Sequence, residues 1–592
     1  MNFFAELKRR NVIRMAGLYL VGAWLLTQVA STVLPMFGAP EWLPRSIVIL
    51  LAIGFVPALI FSWVFELTPQ GLKRDEEVTP EQSIAPQTAR RMNRLIIAVL
   101  VLALAYFCFD KIVLTPRREA ALVAATEKSF AARPSAESNT KSIAVLPFVN
   151  MSADKEQDYF SDGLAEELLN QLAQIPQLRV IARTSSFSFK GKDVDVPTIA
   201  KALNVANVLE GSVRKSANTL RITAQLVRTS DSSHVWSQTY DRQLTDVFKV
   251  QDEIASDVVA ALKVKLLPTQ ELPKTQRTGN PEAYEHYLLG MDIFRQDRLE
   301  ASQLAAMEFQ KAITLDPAYA NAYAALSLAQ VREAEVADSS AQRAEKIKQA
   351  FATIDKAIAM APDLSMGFGV RSYLRYGRAW DWQGAAADFK QALALDPNNA
   401  QLLSYYSQSL FFTGKREEAI AMARKATVID PLSLDVWNNL GTLFFCSGQD
   451  TEARLAWQHA FDINPGARWP NYLAGYLDLM EGKNESARAH FQASDEAFRL
   501  TGTAMLEHTL GHTPESEQAL QALKTKYAVG SAFQVATAYA WRGEKDQAFE
   551  WLDRAYEQRD AGMIRLHYDP TLASLHDDPR FAALVKKMGF TE

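Results

Sequence analysis

One three-residue ending recurs along the carboxyl half of the chain, and it constrains the fold more than any other feature. LDP stands at 315–317, MAP at 360–362, LDP at 395–397, IDP at 429–431 and INP at 463–465. The prolines are 45, 35, 34 and 34 residues apart. Proline lacks the amide proton and clashes with the preceding helical turn, so each one marks a helix end. Small residues repeat in step. Ala385, Ala419, Ala453, Ala487 and Ala548 each follow a turn such as TGKREEA or RGEKDQA, and Ala392, Ala426, Ala460 and Ala555 come seven residues later. Members of a pair are two helical turns apart, on the face where a second helix must approach closely. The pattern predicts seven or eight helical hairpins over 281–560, irregular near 501–527, each burying its apolar face on its neighbours. The 45-residue interval is one period plus 11 inserted residues near Glu335–Glu345.

A 34-residue period is that of the tetratricopeptide repeat, which this region resembles. The resemblance implies a solenoid whose first helices line a concave face that binds protein or peptide partners. By register the lining residues are Ser404, Gln408, Phe411, Asp435, Asn438, Thr442, Phe445, Trp469, Tyr472 and Tyr476. Their aromatic and amide side chains suit an extended or helical peptide. Asn439 stands at a register that clamps a terminal carboxylate in some relatives, but no matching basic pair accompanies it. Residues 561–592 depart from the repeat and read as a capping segment.

Ahead of a Pro/Thr/Gln linker at 267–280, residues 141–266 alternate strand and helix signals. SIAVLPF and LRVIA read as short buried strands, and Asn207–Lys215, Thr219–Thr229 and His234–Arg242 as three more, separated by turn residues. Leucines 164, 168, 169 and 172 mark a helix, Pro197 opens a second, and Thr245–Leu266 reads as a third. The order β-α-β-α-β-β-β-α is that of an α/β (α+β) layer domain. IAVLPF, YFSDGLAEELLNQLAQ, VIARTSSFSFKGK, VLEGSVRK, LRITAQLV and HVWSQTYDR, in that order, resemble the TolB amino-terminal-like domain of bacterial tetratricopeptide proteins. The resemblance implies a periplasmic, non-enzymatic interaction domain, as in some relatives; in others the domain sits behind a cyclase or a DNA-binding domain, neither of which is recognised here. Its basic loop offers Arg183, Ser185, Lys190 and Lys192 as an anion site, without the glycine pattern of a phosphate loop.

The amino end reads as a membrane region. Residues 15–40 are uncharged, as are the 20 between Arg45 and Glu66 and the 15 between Arg94 and Asp110. These predict three transmembrane helices at about 15–37, 46–66 and 94–114, followed by a linker at 116–140. Lys and Arg concentrate before the first stretch and between the second and third. The expected topology is therefore an amino terminus in the cytoplasm and a periplasmic carboxyl region of a multi-pass inner-membrane protein, with the lipid bilayer as a partner. Residues 1–77 also resemble a two-helix module at the amino end of some bacterial tetratricopeptide proteins, carried by FFAELKRRNVIRMAGLYLVGAWLLTQVA and FVPALIFSWVFELTPQGLKR.

The expected whole is multi-domain: three spans, a TolB-like α/β domain and an all-α solenoid. A formal net charge of −5 excludes a global basic field for nucleic acid. Cys108 and Cys446 cannot make a disulfide framework or a Cys-based zinc site. Of the eight histidines only His508 and His512 share a helical face. No nucleophile elbow, Rossmann fingerprint or kinase set is present. The expectation is a scaffold without cofactor, metal or catalysis, with a small-ligand membrane signalling component as the alternative.

Overall fold

The computed structural model describes residues 12–33, 42–68, 71–74, 141–262, 278–296, 299–335 and 339–590, together with Arg94, Ile97, Ala98, Val101 and Leu104. The chain forms two compact units, Met1–Ala125 and Thr126–Glu592.

In the first unit, α1 (Val12–Val33) packs on α2 (Trp42–Val64), which leads into a hairpin of β1 (Phe65–Thr68) and β2 (Gly71–Arg74). The Tyr19 hydroxyl donates to the Leu51 carbonyl at 2.8 Å, and its ring lies 5.5 Å from that of Phe55. Apolar side chains such as Leu50 and Ile53 stand exposed. Among the described residues no helix is long and apolar enough to cross a membrane. This overturns the expected three-span architecture and the multi-pass inner-membrane placement, and the bilayer as partner is not supported. The expectation counted uncharged positions, and lack of charge is not apolarity. The second half of α1 carries Thr27, Gln28, Ser31 and Thr32, while α2 begins with Pro44 and Arg45 in its first turn and holds Pro57 inside. The stretch at 94–114 lies almost wholly outside the described residues, as do the linkers at 116–140 and 267–277.

In the second unit, β3 (Ser142–Val145), β4 (Val149–Asn150), β5 (Arg179–Val180), β6 (Asn207–Ser216), β7 (Thr219–Arg228) and β8 (His234–Gln243) form one mixed sheet. Its order is β5-β3-β6-β7-β8, parallel from β5 to β6 and antiparallel from β6 to β8, with β4 parallel to β6. Helices α3 (Asp158–Ala173) and α6 (Val247–Ala261) cover one face, where Phe160, Leu168, Ile222, Leu226 and Ile254 are buried. Helix α5 (Val196–Leu203) packs Ile199 and Leu203 on the other face, against Ala144 and Val208. Asp195 caps α5 by accepting from the Thr198 amide at 3.1 Å, and Asn204 ends it at φ +51°. Between β5 and α5 runs a short helix, α4 (Arg183–Phe187), where the sequence pattern reads a loop.

Eight hairpins follow. They are α7 (Pro281–Phe294) with α8 (Leu299–Leu315), α9 (Ala320–Glu335) with α10 (Ser340–Met360), α11 (Ser365–Leu374) with α12 (Trp382–Leu395), and α13 (Ala400–Phe412) with α14 (Arg416–Ile429). Next come α15 (Leu434–Phe445) with α16 (Asp450–Ile463), α17 (Arg468–Met480) with α18 (Asn484–Gln492), α19 (Glu496–Thr509) with α20 (Thr513–Tyr527), and α21 (Ala532–Trp541) with α22 (Lys545–Glu557). The inserted residues lengthen the second hairpin, where α10 has 21 residues against 14 for α14. All nine periodic alanines are completely buried. Aromatic rings of second helices sit on glycines of first helices: a Cβ at Gly441 would lie 2.3 Å from Trp457 Nε1. After α22 come 3-10 turns at Ala561–Arg565 and Pro570–Leu575 and a last helix, α23 (Pro579–Lys587).

Candidate partner-binding groove

The first helices α13, α15 and α17 carry the expected lining residues, and the chain's own carboxyl segment is seated against them and against α21. Phe411 and Phe412 meet Tyr568 at ring distances of 5.7 and 6.3 Å, and the Arg416 guanidinium covers Tyr568 at 4.4 Å. Arg565 is buried between the rings of Trp469 and Phe533, at 5.7 and 5.8 Å, and pairs with buried Asp569 at 3.5 Å. Cys446 is buried beside this pair, and burial pushes its thiol well above its ordinary value.

The ten expected contact residues therefore differ in accessibility. Ser404, Phe411, Phe445, Tyr472 and Tyr476 are buried. Tyr472 and Tyr476 share a hydroxyl hydrogen bond, and Phe445 packs on Trp457 of its own hairpin at 5.9 Å. Gln408, Asn438 and Thr442 are half-buried; Gln408 accepts from the Tyr376 hydroxyl at 3.4 Å, and Thr442 donates to the Asn438 carbonyl at 2.8 Å. Asp435 is exposed, and Trp469 is 43% exposed beside Phe498 at 4.6 Å. Asn439 ties α15 to α13, donating to the Ser404 carbonyl at 3.2 Å and to Ser407 Oγ at 2.9 Å.

The four basic-loop residues do not converge on one space. Arg183 Nε donates to Glu166 at 2.9 Å, and Arg295, just past the end of α7, reaches the same carboxylate. Lys190 pairs with buried Asp162 at 2.5 Å, where burial raises the Asp162 carboxyl against the downward pull of the lysine. Lys192 is exposed. Ser185 is completely buried and joins the α/β domain to the solenoid. Its amide and hydroxyl donate to Asp430 Oδ1 at 3.1 and 2.5 Å, and its Oγ accepts from the Leu432 amide at 2.8 Å. The Ala182 amide donates to the Ile429 carbonyl at 2.9 Å. Burial raises the Asp430 carboxyl although Ser185 opposes the rise. The preceding repeat turn docks as well, Asn398 Nδ2 donating to the carbonyls of Ala173 and Leu178 at 3.1 and 3.2 Å. Between α3 and α7 the approach is so close that a Cβ at Gly163 would meet Leu288 at 2.6 Å.

Sequence reasoning missed Arg565 and Tyr568, and assigned Ser185 to an anion loop instead of the joint with the solenoid. A signal was present for Tyr568 and Phe590: large aromatic residues are out of place in a cap facing only water. None existed for Ser185, since a buried serine and an exposed one look alike in a polar run. His508 and His512 do not gather ligands; His512 Nδ1 contacts Glu507 at 2.8 Å. Among the described residues no three His, Cys, Asp or Glu side chains assemble as a metal site.

Comparison with known proteins places the two parts of this unit separately. Residues 138–257 match the family model of the HilA/YgeH-like transcriptional regulator, second domain. That match, and not one to a TolB-like domain, is what the comparisons support; short strand and helix motifs of an α/β layer do not distinguish such families. A curated protein named putative adenylate cyclase 3, from Rhizobium meliloti (strain 1021), is 42% identical over 202 residues, which is 34% of this chain and 34% of that protein. The chain thus spans about a third of the length of that relative. Among solved structures, PilF from Pseudomonas aeruginosa aligns at 20% identity and a TM-score of 0.29 over 36% of this chain and 93% of its own. A tetratricopeptide repeat protein from Parabacteroides merdae aligns at 14% identity and a TM-score of 0.33 over 47% and 100%. Residues 378–441 match the tetratricopeptide repeat model. Helical hairpins recur at that period through the solenoid, so this part of the chain carries tetratricopeptide repeats.

Proposed function

We propose that this chain is a non-catalytic scaffold that binds protein or peptide partners along the first-helix face of its solenoid. The observation that carries the reading is the seating of residues 561–590 against that face: the surface already accommodates a polypeptide through aromatic and arginine contacts. Beside that segment, Trp469 presents to solvent an indole, a side-chain type that anchors interfaces, and Asp435 presents a charge that can set which partner fits. The α/β domain, fastened to two repeat turns, supplies a second surface rigidly related to the first.

The test is quantitative crosslinking of the full chain in extract, comparing the natural protein with Trp469→Ala and Asp435→Lys. The expected result is a defined set of partners, depleted at least about tenfold by either change, as loss of a central interface contact worth roughly 1.4 kcal/mol or more requires. An unchanged set would move the binding surface elsewhere. Because one relative is named a putative adenylate cyclase, the same protein is incubated with ATP and a divalent cation; no cyclic product is expected, and its formation would end the non-catalytic reading.

A further inference from the structure

The turn joining α11 to α12 breaks the rule that the five hairpins after it follow. Where the first helix gives way to the second, the chain passes through the left-handed region at Gly414 (φ +92°), Gly448 (+68°), Gly482 (+75°), Gly511 (+80°) and Gly543 (+78°). Glycine is the residue that takes this conformation without strain. One 34-residue period before Gly414 stands Trp380, at φ +57°. A bulky L side chain there is an outlier held by its surroundings. A single π-helical turn, Arg375–Ala379, precedes it and sets the exit of the helix.

What holds Trp380 lies far away in sequence. Its ring packs 5.3 Å from Tyr556, and the Arg559 guanidinium covers it at 4.3 Å. Arg559 is itself at φ +54°. Lys587 Nζ sits 3.9 Å from the Tyr556 ring centroid. Trp380 is 7% exposed, and its Nε1 has no hydrogen-bond partner among the described residues, so the indole serves here as a ring and not as a donor. Two residues on, Trp382 stacks on Phe590 at 5.0 Å and donates from Nε1 to the Met588 carbonyl at 2.8 Å. One turn of one hairpin thus holds both the entry (Arg559) and the exit (Met588, Phe590) of the segment seated in the groove.

We propose that Trp380 and Trp382 form a clasp that keeps residues 561–590 in the groove as a built-in occupant, and that a partner peptide gains the groove only when the clasp opens. This rests on the scaffold reading for the partner, but the clasp is testable without one. Hydrogen exchange of the full chain is compared with that of Trp380→Gly, which installs the residue the five later turns use and removes the stack. Amides of 561–590 are expected to exchange at least tenfold faster while those of α15 and α16 keep their rates. Trp382→Ala should do the same by freeing the exit. If Trp380→Gly loosens the whole solenoid, Arg559→Ala removes the stack and leaves the 380 turn intact. Unchanged protection of 561–590 in these variants would overturn the clasp. A labelled peptide of residues 561–590, added in trans, is expected to bind Trp380→Gly at least tenfold more tightly than the natural chain. Faster exchange with no gain in peptide binding would overturn the guarding role and leave the scaffold reading standing.

Discussion

The α/β domain and the solenoid pack into one unit, yet their cores are assembled in opposite ways. In the domain Ile143 pairs with both Val180 and Asn207, so the central strand lies between partners that follow it far along the chain. In the solenoid Trp457 fills the gap at Gly441, sixteen residues before it, and each hairpin leans on the next. The first arrangement forms only when distant segments meet. The second propagates from neighbour to neighbour. The repeat turns at Asn398 and Asp430, where the domain docks, are the places at which the local structure is pinned by the non-local one.

Three experiments strain this contrast, beginning with the greatest expected loss. Trp457→Ala empties a fully buried indole site and should cost about 3–5 kcal/mol in denaturant unfolding. If the solenoid is held by neighbours, the accompanying gain in hydrogen exchange concentrates in α15–α18 and spares β6–β8; an equal gain in the sheet would erase the distinction. Ser185→Ala removes the hydroxyl that serves both Asp430 and the Leu432 amide, and should cost about 1–3 kcal/mol. Its sharper signature is the splitting of one unfolding transition into two, the domain parting from the repeats, as followed by fluorescence and circular dichroism together. A single unsplit transition would mean that the contacts of α3 and α7 suffice to couple the two.

The smallest effect is on pH. Burial lowers the proton affinity of His490 and His576 below the ordinary histidine value of 6.5. The folded state therefore binds their protons less readily than the unfolded state. Their contribution to stability is fully present above pH 6.5 and is lost as pH falls from 6.5 through the lowered folded values. Denaturation midpoints should decline over that window, and His490→Gln should flatten the slope. An unaltered slope would leave the decline to His576 and to groups outside the solenoid.

The hairpin period was legible at Pro397, Pro431 and Pro465 because a helix stop is written in the residue itself. The buried alanines were legible for the same reason: close approach demands a small side chain, and the demand recurs. The uncharged runs at the amino end misled: in α1, Thr27, Gln28, Ser31 and Thr32 count as uncharged without being apolar, and among the described residues no helix is long and apolar enough to cross a membrane. Trp380 was legible in part. The missing glycine in RYGRAWDW is visible beside TGK, SGQ and EGK, but nothing near it names Tyr556 or Arg559.

By itself the sequence determined the repeat, its spacing and which faces of the helices are small, all consequences of sterics acting within one 34-residue unit. Only the tertiary structure decided that the groove is occupied by residues 561–590, that Ser185 is a joint and not part of an anion loop, and that Tyr556 and Arg559 hold Trp380 in the left-handed region. Those outcomes depend on partners up to 247 residues away, such as Ser185 with Leu432. The chemistry of a side chain fixes what it can bond to, and only the folded path fixes what it meets.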